Sequence, residues 1–356
     1  VPSLKAIALQ VLALPREAGT PEAAEARRLV AAYLTGLGYN VVWQSFTFAP
    51  SSLRAFPIFG AGLGGLALVL FPFLVSGSLP PWAAAAMWTT GLLALAIVAT
   101  GVGLGWVHLG EGLREDANLI ATRGQSSPRR WVVAHLDSKA QGQSMAGRLV
   151  AVWVVGLAIV ALTALALGRI GGPLSPALAG TGAAMAVLAG FLAGRGRLRG
   201  RSQGARDNGT GVVAALAAAA APNSSVGILI TGAEEFGLVG ARVFAKLSTA
   251  LTDTEFVNVD TVDQEGTLYL VSHDAGGERL ARVVEPQLLA IGLPMRRRRL
   301  PLGIFVDSAP LARVAPAMTI GRLTWRTLRC IHTEADTPDG LSFRAAEQVG
   351  KAIASN

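Results

Sequence analysis

Two histidines and several carboxylates stand where apolar runs come to an end. The run Trp131–Ala134 passes into His135-Leu136-Asp137, and a tight polar segment follows later as Gly204-Ala205-Arg206-Asp207-Asn208-Gly209. The run Val226–Thr231 ends at Gly232-Ala233-Glu234-Glu235, Phe256–Val259 ends at Asp260, and Ile331-His332-Thr333 lies near the C-terminus. Imidazoles are borderline ligands and carboxylates hard ones, a mixture that suits zinc, or a pair of zincs held by a bridging carboxylate. A carboxylate left outside the ligand set can take a proton from water, which makes such a cluster a hydrolytic device. Taken singly, each element has a plainer reading. Asp207-Asn208-Gly209 is also a good hairpin turn, Glu234-Glu235 a solvated helix start favoured by the dipole, and His135 a hydrogen-bonded structural histidine. Their order argues for the chemical reading, since each follows a strand or a tight turn.

The elements that must position these groups read as alternating strands and helices. Pro21–Gly36 has Leu29, Val30, Tyr33 and Leu34 at helical spacing, and Tyr39–Phe48 has the β-branched and aromatic character of a strand. Short apolar strands are predicted at Ala117–Ala121, Trp131–Ala134, Val226–Thr231, Phe256–Val259 and Thr267–Val271, with helices at Gly211–Ala221 and Leu238–Lys246. This pattern implies an α/β sandwich with a largely buried sheet.

The composition has a second part. Only 15% of the 356 residues are charged and mean hydropathy is +0.47, against about 25% charged in an ordinary soluble domain. From Ala55 to Gly110 there is no Asp, Glu, Lys or Arg, and from Leu149 to Gly194 only Arg169. Outside these two blocks about a fifth of the residues are charged, close to the globular value. The distribution excludes a disordered chain, a disulfide scaffold (there is one cysteine, Cys330) and a purely soluble protein. Each block is long enough for two crossings of about 20 residues. The spans are read as Pro57–Val75, Trp82–Leu104, Leu149–Gly168 and Leu174–Gly194, with turns at Ser76–Pro81 and Arg169–Pro173. The first span starts behind a charged amphipathic stretch, which is not the pattern of a signal peptide.

Division of the chain follows: 1–54 the N-terminal part of a catalytic domain, 55–110 a transmembrane hairpin, 111–148 catalytic domain with the first metal motif, 149–194 a second hairpin, and 195–356 the remaining catalytic domain. Arg54, Arg114, Arg148, Arg195, Arg197, Arg199 and Arg201 flank the spans on one side, against Arg169 alone on the other. The positive-inside rule then puts both termini and all the polar sequence in the cytoplasm, in a multi-pass protein of the cell inner membrane. The same arginines form a basic collar suited to anionic lipid head groups, which accounts for the net charge of +8. Arg296–Arg299 is read as a solvated charge run. No aromatic residues are interleaved with it, so no nucleic-acid partner is expected.

The ordered series His135-Leu136-Asp137, Gly204 to Gly211, Ala233 to Gly240, Asn258-Val259-Asp260 and His332 to Thr337 resembles the co-catalytic di-zinc aminopeptidases, peptidase family M28. The likeness extends to Asn118-Leu119-Ile120-Ala121 before the first metal motif. It implies a three-layer α/β sandwich around a mixed, largely parallel sheet, here interrupted by two α-helical transmembrane hairpins. It implies two zinc ions per chain: one bound by His135 and Asp260, the other by Glu235 and His332, with Asp207 bridging. Glu234 would be the general base that later protonates the leaving amine, and Asp137 would orient the His135 imidazole. A cis peptide at Asp207–Asn208 is also implied.

Two departures stand out. The stretch between His135 and Asp207 carries the second hairpin, which would bring the active site close to the membrane surface. Asp307-Ser308-Ala309 stands where many relatives have an aspartate–histidine pair near the substrate pocket. The expectation is a membrane-bound zinc metallopeptidase, an aminopeptidase acting on peptide substrates. The alternatives are a glutaminyl-cyclase-like acyl transferase and a non-catalytic membrane scaffold. His108 is placed at the membrane interface, His273 on a surface turn, Cys330 as a buried small hydrophobe, and Asp336 and Asp339 as structural turn residues. Gly60, Gly64, Gly190 and Gly194 are small enough for close helix packing, which admits a homo-oligomer.

Overall fold

A computed structural model of the chain describes residues 2–110, 112–124, 127–222, 224–247, 251, 253–301 and 303–355. The chain divides into two compact units. One is Val1–Phe48, Leu113–Ala140 and Gly200–Asn356, and the other is Ala49–Gly112 and Gln141–Arg199.

The first unit holds an eight-stranded sheet. Its strands are β1 (Asn40–Phe48), β2 (Arg114–Thr122), β3 (Arg130–His135), β4 (Gly227–Thr231), β5 (Glu255–Val262), β6 (Thr267–Ser272), β7 (Met295–Arg299) and β8 (Ala317–Leu323). They lie in the order β1-β2-β4-β3-β5-β8-β6-β7. The central four, β4, β3, β5 and β8, run parallel, while β1 with β2, β2 with β4 and β6 with β8 are antiparallel. Strands buried on both faces need apolar side chains throughout, and β3 and β4 supply them. Val132, Ala134, Ile228 and Ile230 face one layer, and Trp131, Val133 and Leu229 the other. The first layer includes the alanine-rich helix Thr210–Ala220, buried along all but its last residue, and the amphipathic C-terminal helix Arg344–Ala354. The second is built on Val239–Leu247 through Ala241 and Phe244. This is the three-layer sandwich expected. In such sheets ligands collect beyond the carboxyl ends of the parallel strands. His135 ends β3, Glu234 and Glu235 follow β4, and Asp260 lies near the end of β5.

Arg296–Arg299, read from the sequence as a solvated charge run, is all of β7 except Met295. It pairs parallel with β6 at the sheet edge, with all four arginines exposed. Its charged side chains hide the strand from an apolar pattern.

The second unit holds four long helices, Ala55–Val75, Ala83–Gly103, Met145–Gly168 and Pro176–Gly194, each long and apolar enough to cross a membrane. Their packing is the inverse of a soluble bundle. Ala158, Ala179, Ala186, Ala189 and Ala193 are buried, while Leu68, Leu93, Ile97, Trp153, Val160 and Phe191 point outward. Small residues inside let helix backbones approach where lipid offers no hydrophobic drive. A Cβ on Gly60 would lie 2.3 Å from the Ala193 Cβ, and one on Gly190 would lie 2.6 Å from the Gly60 carbonyl oxygen. A Cβ on Gly64 would lie 3.4 Å from the Val187 Cα, and one on Gly194 would meet nothing within 4 Å. Gly60, Gly64 and Gly190 therefore serve contacts between helices of this chain. Arg169 is buried, donating to the carbonyls of Phe73 (3.2 Å), Ser76 (2.6 Å) and Leu79 (3.0 Å). It links the turn of one helical hairpin to that of the other.

Candidate metal centre

His135, Asp207, Glu234, Glu235, Asp260 and His332 come together at the carboxyl edge of the sheet. Asp207 lies between the two imidazoles: its Oδ1 is 3.2 Å from His135 Nε2 and its Oδ2 is 3.0 Å from His332 Nε2. His135 Nε2 is also 3.7 Å from Asp260 Oδ1 and 4.0 Å from Glu234 Oε2, and His332 Nε2 is 3.4 Å from Glu235 Oε1. Two donor groups result, His135 with Glu234 and Asp260, and Asp207 with Glu235 and His332. All are buried except the half-buried Asp260.

The backbone around these groups is closely fixed. Asp336 is fully buried, and its carboxylate accepts the N–H groups of Arg206 (2.9 Å) and Asp207 (3.1 Å). Asn208 joins Asp207 through a cis peptide. Its side chain donates to the Val259 carbonyl at 2.9 Å and accepts from Gly211 and Thr261, each at 3.0 Å. A Cβ at Gly211 would fall 2.1 Å from that side-chain oxygen, so the last glycine of the motif is a matter of space. Ala233, Thr261 and His332 have φ of 51°, 58° and 66°. A left-handed conformation is costly for residues with a Cβ, and here it occurs at or beside a member of the two donor groups in each case.

Asp137 lies beside His135 but uses its carboxylate elsewhere. The His135 Nδ1 meets the Asp137 backbone carbonyl at 3.0 Å, and the nearest carboxylate oxygen is 3.7 Å away. A carbonyl can only accept, so Nδ1 carries a hydrogen, and Nε2 is the ring nitrogen that faces the carboxylates. The Asp137 carboxylate accepts the N–H of Glu234 at 3.0 Å and of Glu235 at 3.1 Å.

The electrostatics are those of a crowded anionic pocket. Burial pushes the Glu234 carboxyl well above its usual range, and neighbouring Glu235, Asp307 and Asp260 add to this against the opposing His135. Burial acts the same way on Asp207, but hydrogen bonds from His135 and His332 outweigh it and hold the group well below normal. Burial also opposes charge on Glu235, yet the Lys139 ammonium and His332 bring its carboxyl down to about 2. Burial pushes Asp307, bonded by the Thr231 hydroxyl, up to about 7. Four converging carboxylates and two imidazoles with so little cationic compensation fit a divalent cation, and zinc takes this donor mixture. The Glu235 Oε1 is buried with no hydrogen bond, a further sign that its partner is an ion.

Sequence reading missed two contributors. Lys139, buried, forms an ion pair with Glu235 Oε2. Its signal is compositional, since the chain has four lysines among 31 basic residues. Arg16, also buried, donates to the carbonyls of Leu136, next to His135, and Gly204, and nothing near it in the sequence points there. Three other expectations need correction. His273 is half-buried and bonds the Ser308 hydroxyl at 2.7 Å. Cys330 is only partly buried, and its thiol donates to the Ala335 carbonyl at 3.3 Å. Asp336 holds the Arg206 and Asp207 amides, which is more than a local turn contact, while Asp339 is exposed.

Residues 187–356 match the family described as Peptidase family M28. No curated protein matches the chain. Among solved structures it is similar to a zinc aminopeptidase from Bacillus subtilis, with TM-score 0.59, 16% identity, and coverage of 99% of this chain and 93% of that one. It is also similar to an aminopeptidase from Aneurinibacillus sp. strain AM-1, with TM-score 0.58, 15% identity, and coverage of 98% and 92%. A glutaminyl cyclase from Fimbriiglobus ruber gives TM-score 0.57, 15% identity, and coverage of 99% and 92%. At these identities the likeness establishes the fold.

Proposed function

Because residues 187–356 match the model of Peptidase family M28, we propose that this chain is a membrane-bound zinc metallopeptidase that removes N-terminal residues from peptides. The observation that carries this reading is the placement of Asp207, with one oxygen toward each of two histidines and a donor group on either side. His135 and Asp260 would hold one zinc, Glu235 and His332 the other, with Asp207 shared. Zinc bound there supplies Lewis acidity, polarising a carbonyl and acidifying water.

The chain's own groups do the rest. Glu234 belongs to neither pair. Its carboxylate takes a proton from the attacking water and returns it to the leaving amine, a role suited to a carboxyl whose proton affinity burial has raised. Asp137 fixes the backbone of Glu234 and Glu235 and, through its carbonyl, the tautomer of His135. The four apolar helices would anchor the protein, and the flanking arginines support a catalytic unit on the cytoplasmic side. Arg169, the exception to that charge bias, is accounted for by the three carbonyls it binds.

Zinc analysis of the detergent-solubilised protein, with cleavage of free and N-blocked peptides before and after chelation, tests the reading. Chelation should abolish cleavage, and free N-termini should be preferred. Cleavage of blocked peptides alone would exclude an aminopeptidase. A second reading, cyclisation of N-terminal glutamine, is supported by the likeness of the fold to the Fimbriiglobus ruber glutaminyl cyclase. It predicts pyroglutamate from Gln-initiated peptides with the chain intact.

A further inference from the structure

The two halves of the centre differ in charge. Lys139 Nζ forms an ion pair with Glu235 Oε2, and both side chains are almost wholly buried, at 2% and 5% exposure. Among the described residues, no lysine or arginine makes an ion pair with Asp207, Glu234 or Asp260. One donor group therefore has an ammonium on one of its carboxylates, and the other group has none. Lys139 is also firmly held. It follows Ser138, whose hydroxyl donates to the Ser202 carbonyl at 2.8 Å and accepts the Arg16 N–H at 3.0 Å. Ser138 N–H in turn donates to the Arg16 carbonyl at 3.0 Å. With its backbone so fixed and its side chain buried, the lysine has its ammonium on Glu235.

A cation entering beside Glu235 meets this charge. Repulsion between like charges is strong in a buried site, where water screens little. One of the two Glu235 oxygens is also already engaged, so an ion there must accept the remaining oxygen or displace the ammonium. The group around His135 and Asp260 carries no such obstacle.

We propose that Lys139 makes the centre unequal: the His135–Asp260 half binds zinc tightly, and the Glu235–His332 half binds it weakly, in competition with the lysine ammonium. This rests on the ligand assignment given above. The consequence is a protein that holds one zinc over a wide range of metal concentration and acquires the second only when metal is plentiful. Lys139 is then the residue that sets metal stoichiometry, and it does so without touching the first ion.

The test is a zinc titration of the full-length, detergent-solubilised chain after chelation, followed by calorimetry and by competition with a chromophoric chelator. The wild type should take one ion tightly and a second at least about tenfold more weakly. In Lys139→Met the second ion should bind at least about tenfold tighter, with the first unchanged. An unchanged first site also shows that the variant is folded. Two equivalent ions in the wild type, or an unaltered second site in Lys139→Met, overturns the proposal. If Lys139→Met loses the first site as well, Lys139→Arg and Lys139→Gln decide. The arginine should keep the gap and the glutamine should close it, and equal gaps overturn the proposal. Failure of the ligand assignment looks different: zinc uptake would then survive His135→Ala combined with His332→Ala, and that result overturns both.

Discussion

Arg16 donates its Nε–H to the carbonyl of Leu136 at 2.8 Å, from a position 120 residues earlier in the chain. The same guanidinium reaches the carbonyls of Gln203 at 2.5 Å and Gly204 at 3.0 Å. Leu136 follows the ligand His135, and Gly204 opens the segment that delivers Asp207. One side chain thus ties together the two stretches that a long excursion of the chain separates.

Replacing Arg16 by methionine should therefore cost about 3 kcal/mol or more, because the carbonyls of Leu14, Leu136, Gln203 and Gly204 lose a charged donor at once. Thermal unfolding in detergent measures this. A loss below about 1 kcal/mol would mean that the carbonyls find other partners.

Glu234→Gln should lower peptide hydrolysis by about a thousandfold, within the range for loss of a general base, while zinc content stays at the wild-type level. Steady-state rates and metal analysis on the same preparation check it. Full activity with metal bound would show that Glu234 is not the base.

Burial pushes the Asp307 carboxyl up to about 7, with the His135 charge and the Thr231 hydroxyl acting against it. An unfolded aspartate titrates near 3.9, so between these values the folded state holds the extra proton. Stability must then fall as pH rises through this window, by at most about 1.4 kcal/mol per pH unit. In the chelated protein, Asp307→Asn should remove that slope and gain stability over the wild type at pH 8 but not at pH 4. Parallel pH profiles of the two proteins in thermal unfolding would disprove it.

Gly190→Val should destabilise the apolar unit by about 2 kcal/mol, since even its Cβ would lie 2.6 Å from the Gly60 carbonyl oxygen. Gly194→Val meets nothing at its Cβ and should be neutral. Equal melting temperatures for both variants in detergent would count against a close packing of Gly60 with Gly190.

Much of this was written locally in the sequence. The apolar runs that became β3, β4 and β5 are continuous because both faces are buried, so the residues closing them were legible as site residues. The four apolar helices lie within a few residues of their expected bounds, because composition alone determines them. What could not be read was pairing at a distance. Lys139 and Glu235 are 96 residues apart and nothing in either neighbourhood announces the other. Asp137 stands next to His135 in motif and space, yet its carboxylate binds amides from another loop. Strand β7 was hidden because four arginines look alike in a coil and on an exposed edge. Gly60 and Gly190 were legible as close-packing residues, but not as partners of each other.

The register of β1 and β2 bears on how this chain came to be assembled. Phe48 sits opposite Arg114 at the last rung of an antiparallel pair, so the residues between them occupy the place of an ordinary hairpin turn. The second excursion begins after Ala140 and ends before Gly200, and its stem is closed by Ser138, Ser202 and Arg16. Both junctions are complete within the sheet-bearing unit. The apolar segments are therefore removable cassettes: a short loop at each seam should yield the sheet-bearing unit as a domain of its own, and the same two seams are where unrelated inserts could be grafted.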